Sequence, residues 1–260
     1  MAFTVHAVMP GVWHIVDCMG VCMTLLEGEN AAMLVDTGYG IEDVADFMRH
    51  MTDLPLTVFL THNHHDHAMG ARCFPETYML EADMADWRMF TNDEMRRRVL
   101  TQAIGKNLTV DEKTFLAGEI PLPKVMKPGV IDLGGLTAEI IEAPGHTPGS
   151  AVVYVPERKL LLSGDDWNPC TWLFFPQALG LREYRSNMRG IQQLPLEKVL
   201  CPHREALYDW MFDDFFNALT DGNLRAAEPV NIAPYEQIDT CQATLPHDQV
   251  LVFDWAKSGL

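Results

Sequence analysis

Residues 57–60 form a short apolar β-like run that leads straight into Thr61-His62-Asn63-His64-His65-Asp66-His67. Four histidines and one aspartate therefore fall within six residues, at a strand end. Imidazole nitrogens with a carboxylate oxygen are the donor set of Zn²⁺ and similar borderline metals. On extended or tightly turned chain, His62 and His64 share a face, and Asp66 and His67 reach a neighbouring point. One short loop does not close two metal sites, so more His or Asp donors are expected at other strand ends. Three residues qualify. His146 lies in Ala143-Pro144-Gly145-His146-Thr147-Pro148-Gly149-Ser150, Asp165 in Leu161-Leu162-Ser163-Gly164-Asp165, and His203 in Cys201-Pro202-His203. Each follows an apolar β-run, and each alone also reads as a cap or turn residue.

The rest of the chain alternates the same two patterns. β-like runs at 12–16, 22–26 and 31–35 end in Asp36-Thr37-Gly38. Val44, Phe47, Met48 and Met51 then fall at i, i+3, i+4 and i+7, one helical face, before Leu54-Pro55 stops it. Residues 82–103 read as helix, acidic early and with Arg96-Arg97-Arg98 late, a polarity that suits the helix dipole. The segment 105–128 is irregular. Further β-runs follow at 130–133, 137–141, 151–155 and 159–162. A helix at 183–194 puts Tyr184, Met188 and Ile191 on one face. A strand at 198–201, a helix at 206–220, and an irregular tail with a β-run at 250–253 complete the chain. Two β-then-α halves, 1–128 and 129–260, are expected within one α/β domain. Stacked sheets with helices outside would make four layers.

Composition narrows the function. The formal charge is −17, from 19 Lys plus Arg against 36 Asp plus Glu. Phosphate backbones and anionic lipid repel such a chain, which disfavours a nucleic-acid or membrane-surface partner. No apolar run reaches the ~18–20 residues of a membrane span. The first residues, MAFTVHAVMPGVWH, lack the basic and continuous apolar regions of a secretory signal. The six cysteines are scattered with no CxxC pair, as expected of reduced thiols in a cytoplasmic protein. A small-molecule substrate is the expected partner, and a homodimer stays open.

Taken in order, the H-x-H-x-D-H motif at 62–67, the GHTPGS turn at 145–150, the SGD at 163–165 and the late His203 resemble the metallo-β-lactamase-fold hydrolase superfamily. Asp36, in LVDTG, matches a family position behind the metal loop. The likeness runs from about residue 10 to 205. It implies a four-layer αββα sandwich of two mixed sheets, with a metal site on its upper edge. By position, His62, His64 and His146 would hold one metal and Asp66, His67 and His203 a second, with Asp165 bridging. His203 departs from the pattern, since Cys201-Pro202 and Arg204 replace the usual flanking glycines. His65 sits at a variable position of the motif, and His6, His14, His50 and His247 lie outside the motifs.

The resemblance implies two divalent ions, foremost zinc, with iron or manganese as alternatives. A shared hydroxide would attack the carbonyl of a small ester, thioester or lactone, and Asp66 would orient it or take its proton. His64 and Asp165, the lack of an appended flavodoxin-like domain and the acidic surface point to the glyoxalase II and lactonase-like branch. A mononuclear-iron persulfide dioxygenase, using His62, His146 and Asp165 alone, is the alternative from another reaction class. A small-molecule phosphodiesterase is another alternative on the same two-metal clamp. The pocket mouth is expected from Trp87 and Phe90 on one side and Trp167, Trp172, Phe174 and Phe175 on the other. Tyr184 is a further candidate. Packing of a helical cap is the competing reading for these aromatics. Arg96-Arg97-Arg98 could bind an anionic substrate, but a solvated helix end is the reading preferred for them.

Overall fold

The computed structural model describes residues 3–209 and 211–260. Seven strands make the first sheet, in chain order: β1 (Thr4–Met9), β2 (Val12–Val16), β3 (Cys22–Glu27), β4 (Ala32–Val35), β5 (Leu56–Phe59), β6 (Tyr78–Met79) and β7 (Lys124–Val125). The β1–β4 ladders are antiparallel, and those from β4 to β7 are parallel. The second sheet holds β8 (Gly129–Asp132), β9 (Thr137–Glu142), β10 (Ala151–Val155), β11 (Leu160–Leu162), and the later strands Lys198–Leu200 and Leu207–Tyr208. Residues 198–200 run parallel to β11.

Layering follows from which faces are apolar. Val12, Met33, Val35 and Phe59 of the first sheet meet Ile140, Val153, Val155 and Leu162 of the second in one buried core. Each such side chain contributes about 1.5–3 kcal/mol on leaving water. Helix α1 (Val44–Met51) covers the outer face of the first sheet, with Val44, Ala45 and Met48 against Ile15, Leu34 and Val58. Its start is fixed by Asp43, whose side chain accepts from Asp46 N. Two later helices, Leu181–Ile191 and Met211–Ala218, cover the second sheet. Tyr184, Met188 and Ile191 there pack with Val152, Leu161 and Val199. The protein is thus an αββα sandwich.

Several elements depart from the sequence pattern. The expected 82–103 helix is broken at Asn92, which is extended and caps α2 (Asp93–Gly105) by accepting from Met95 N. The expected 206–220 helix is shorter, because Leu207–Tyr208 pair with Val199 and Leu200 instead, and residue 210 lies outside the described residues. The tail forms an unexpected third sheet, in which Thr240–Leu245 and Gln249–Asp254 make a hairpin that Cys170–Leu173 joins in parallel. Tertiary pairing overrides weak local propensity in these segments.

The parallel ladders position the functional residues. β4 and β5 run side by side, so Asp36 and Thr61 leave the sheet together. β11 and residues 198–200 do the same for the segments carrying Asp165 and His203. The segment after β9 carries His146 to the same edge.

Candidate metal centre

Seven side chains converge where these strands end. Donor atoms of His62, His64, His146 and Asp165 all lie within 4.8 Å of one another, as do those of Asp66, His67, Asp165 and His203. Asp165 belongs to both groups. Its Oδ2 is 3.5 Å from His146 Nε2 and 4.0 Å from His62 Nε2, and its Oδ1 is 3.4 Å from His67 Nε2 and 3.0 Å from His203 Nε2. Asp66 Oδ2 is 3.7 Å from His67 Nε2 and 3.8 Å from His203 Nε2.

Each imidazole is aimed by what its outer nitrogen meets. His67 Nδ1 lies 3.0 Å from Asp36 Oδ2, and His62 Nδ1 lies 3.0 Å from Thr61 Oγ1, whose hydroxyl donates to Asp36. Asp36 also accepts from Thr61 N at 2.8 Å. It holds this pose at φ 65, an unusual backbone conformation for a non-glycine. His146 Nδ1 lies 2.7 Å from Trp172 O. In these three rings Nε2 is left toward the centre, the arrangement typical of metal-binding histidines. His64 differs: its Nδ1 lies 2.8 Å from His146 Nε2, and the Gln177 amide reaches its Nε2 at 2.6 Å.

The supporting backbone is tightly held. Thr37 donates to His67 O through both N and Oγ1, at 2.8 Å each. A Cβ on Gly70 would lie 2.1 Å from Thr37 O, so only glycine lets the two loops touch backbone to backbone. Asp83, fully buried, ties two other loops together. It accepts from Asn63 N and Thr147 Oγ1 through Oδ2 and from Gly149 N through Oδ1. The sequence gives it no distinguishing motif.

The donor set fits divalent cations. His62 Nε2 and His67 Nε2 are buried and make no hydrogen bond among the described residues. Burial pushes His62, His64 and His146 below the usual histidine range, so they stand neutral, the state that ligation requires. Burial acts the same way on His67 and His203. There the carboxylates outweigh it, Asp165 first, then Asp66, and both rings are raised. Burial pushes Asp66 up too, but His67, His65 and His203 prevail and hold it at about 2. Asp165 is held far down in the same way, chiefly by His203 and His67. Adjacent Asp166 is driven up by burial and accepts from His146 N.

A cavity of about 540 Å³ opens over these residues. Phe90, Trp172 and Phe175 line it, and Met95, Val99 and Tyr235 join them. Trp87, Trp167, Phe174 and Tyr184 do not, since all four are fully buried in the packing core. Tyr184 donates to Asp166 O instead of facing a substrate. The arginine run also divides, because successive helical residues lie about 100° apart. Arg96 is buried, donating to the carbonyls of Phe115, Ala117 and Gly118. Arg97 points to solvent, and Arg98 lines the cavity. The sequence reading did not place Tyr39, Gln102 or Arg204 at the cavity and weighed Arg98 only within the arginine triple, although Met95, Arg98, Val99 and Gln102 fall at i, i+3, i+4 and i+7.

Histidine and carboxylate groups at the joined edge of an αββα sandwich define a class, the metal-dependent hydrolases of this fold. The chain belongs to the metallo-beta-lactamase superfamily, whose family model matches residues 16–203. It is similar to the acyl-coenzyme A thioesterase MBLAC2 of Gallus gallus, 26% identical over 202 residues, which span 69% of this chain and 70% of that protein. Its fold is similar to a metallo-beta-lactamase from Pontibacter korlensis, with TM-score 0.57 and 18% identity over 81% of this chain and 94% of that one. The inverting sec-alkylsulfatase Pisa1 from Pseudomonas sp. gives TM-score 0.62 and 15% identity, over 86% of this chain and 43% of that longer one. No helix among the described residues is long and apolar enough to cross a membrane.

Proposed function

We propose that residues 1–260 act as one binuclear metal-dependent hydrolase of acyl thioesters, with related small esters or lactones as lesser substrates. The observation that carries it is the sharing of Asp165, whose carboxylate lies 3.5 Å from His146 Nε2 in one donor group and 3.4 Å from His67 Nε2 in the other. A mononuclear dioxygenase would need only His62, His146 and Asp165, whereas Asp66, His67 and His203 assemble a second complete group beside them. The similarity to an acyl-coenzyme A thioesterase supports the thioester, and the aromatic wall of the cavity suits an acyl chain.

His62, His64 and His146 would hold one ion, Asp66, His67 and His203 the other, and Asp165 both. Two divalent ions, foremost zinc with iron or manganese as alternatives, would supply a water-derived nucleophile at neutral pH and polarise the thioester carbonyl. Asp66 is anionic at the rim of the second group and is placed to orient that nucleophile and take its proton. Asp36 fixes the His67 ring and, through Thr61, the His62 ring. Phe90 and Phe175 shield the His64 side from water. The net reaction breaks the C–S bond, adds water oxygen to the carbonyl carbon and returns a proton to the thiolate.

The test joins metal content to turnover. Protein purified without added metal or chelator is expected to carry about two zinc ions per chain and to hydrolyse medium-chain acyl thioesters. About one iron per chain, with O₂ consumed in the presence of a persulfide, would overturn the reading.

A further inference from the structure

The cavity is polarised along the line joining the two donor groups. On the His64 and His146 side its wall is aromatic. Phe90 and Phe175 lie 4.5 and 4.9 Å from the His64 ring, Phe175 lies 5.4 Å from His146, and Trp172 and Tyr235 extend the wall at 6.1 and 5.4 Å from Phe175. Two arginines, Arg98 and Arg204, line the same cavity. Arg204 directly follows His203, donates to His203 O at 2.8 Å, and has its own carbonyl 3.1 Å from His14 Nε2. Arg98 stands on the α2 face shared with Met95, Val99 and Gln102 and lines the cavity with His65. Among the described residues Arg49, Arg88, Arg96 and Arg185 each pair with a carboxylate, and Arg98 and Arg204 are among the arginines that form no ion pair. In a chain of charge −17, the cavity thus carries two cationic side chains beside Asp66 and Asp165, both of which belong to the metal-donor groups.

We propose that Arg98 and Arg204 form an anion subsite for the leaving group, so that the substrate binds with its acyl chain on the aromatic wall and a negatively charged thiol toward His203. This rests on the hydrolase reading above and adds a direction to it. Negative charge is favoured on the thiol side of the scissile bond and disfavoured on the acyl side. Both arginines are solvent-exposed, so their pull is screened by salt and acts on capture more than on the chemical step.

Two isomeric probes separate the sides. One is the hexanoyl thioester of mercaptoethanesulfonate, and the other is the ethanethiol thioester of a sulfonated hexanoate. With zinc-loaded protein, kcat/KM is expected to favour the first by ~10-fold or more at low salt. That ratio should fall toward one at high salt and in the Arg98→Gln, Arg204→Gln double variant, with metal content and circular dichroism unaltered. A ratio near one in the parent protein, or a preference that the double variant retains, overturns the subsite. If neither thioester is hydrolysed, the hydrolase reading fails on its own account. Calorimetric Kd values of the matching thioethers then judge the subsite. Tighter binding of the thiol-side sulfonate, lost in the double variant, supports it, and equal Kd values overturn it.

Discussion

His64 and His146 stand against phenylalanine rings and His62 is enclosed by the other histidines, while His67 and His203 stand beside the carboxylates of Asp66 and Asp165 with Arg204 next in the chain. The imidazoles are chemically identical, yet burial keeps the first three neutral and the acidic neighbours draw protons onto the other two. The difference teaches that donor identity does not set the cost of metal entry. On the two-metal reading, the first group accepts a cation at neutral pH with little proton release. The second must shed protons from His67 and His203, and its affinity falls more steeply with acid.

The shared carboxylate is where the comparison breaks most completely. Asp165→Ala removes the one side chain common to both groups and takes from His67 and His203 the carboxylate that most favours their charged forms. Turnover is expected to drop by roughly four orders of magnitude, with metal content falling at both groups. Retention of two metals per chain with near-parental kcat would dissolve the bridging role. His203→Ala sharpens the contrast. It strips one donor from the second group and leaves all four donors of the first in place, although Asp165 loses its contact with His203. About one metal per chain should remain and kcat should fall by ~10²–10³. Loss of both metals would mean that the groups do not load separately.

The contrast extends outward to the supporting aspartates. Asp36 buttresses His67 directly, and Asp83 ties the loop between His62 and His64 to the turn after His146. Asp36→Asn should weaken the second group through His67 and, to a smaller degree, the first through Thr61 and His62, whereas Asp83→Asn should weaken the first alone, each main effect being about 10–100-fold in metal affinity. Competition against a chromophoric chelator reads the two steps. A larger loss at the second step in Asp83→Asn than in Asp36→Asn would overturn this assignment of the supports.

Legibility follows the same divide between contiguous and assembled features. The donor residues were readable because each sits in a short motif at a strand end, and strand ends are what a parallel ladder brings together. Asp83 was invisible because its role exists only through partners 20, 64 and 66 residues away in sequence. The aromatics show the limit of composition. Trp87, Trp167, Phe174 and Tyr184 are as bulky as Phe90, Trp172 and Phe175, but tertiary packing alone decides which of them face the cavity. Arg96, Arg97 and Arg98 read as one charged patch, and the helical turn sends them to three environments. The third sheet was missed because Thr240–Leu245 mixes polar and apolar residues whose strand character depends on Gln249–Asp254.

The smallest expected effect lies behind the second group, at His14. Its ring is buried, with Nδ1 3.0 Å from Thr24 Oγ1 and Nε2 3.1 Å from Arg204 O, so it braces the segment that carries His203. Burial lowers its pKa from 6.5, against the opposing pull of the Arg204 and Cys201 carbonyls. A base with a depressed folded pKa contributes stability that is present above its unfolded value and lost as pH falls below it. In zinc-saturated protein, stability should therefore decline more on going from pH ~7.5 to ~5.5 than in His14→Gln, which has no proton to take up there. Urea unfolding at the two pH values measures the difference. Parallel declines in parent and variant would show that His14 stays neutral in the unfolded chain or charged in the folded one. The brace on Arg204 would then be independent of acid.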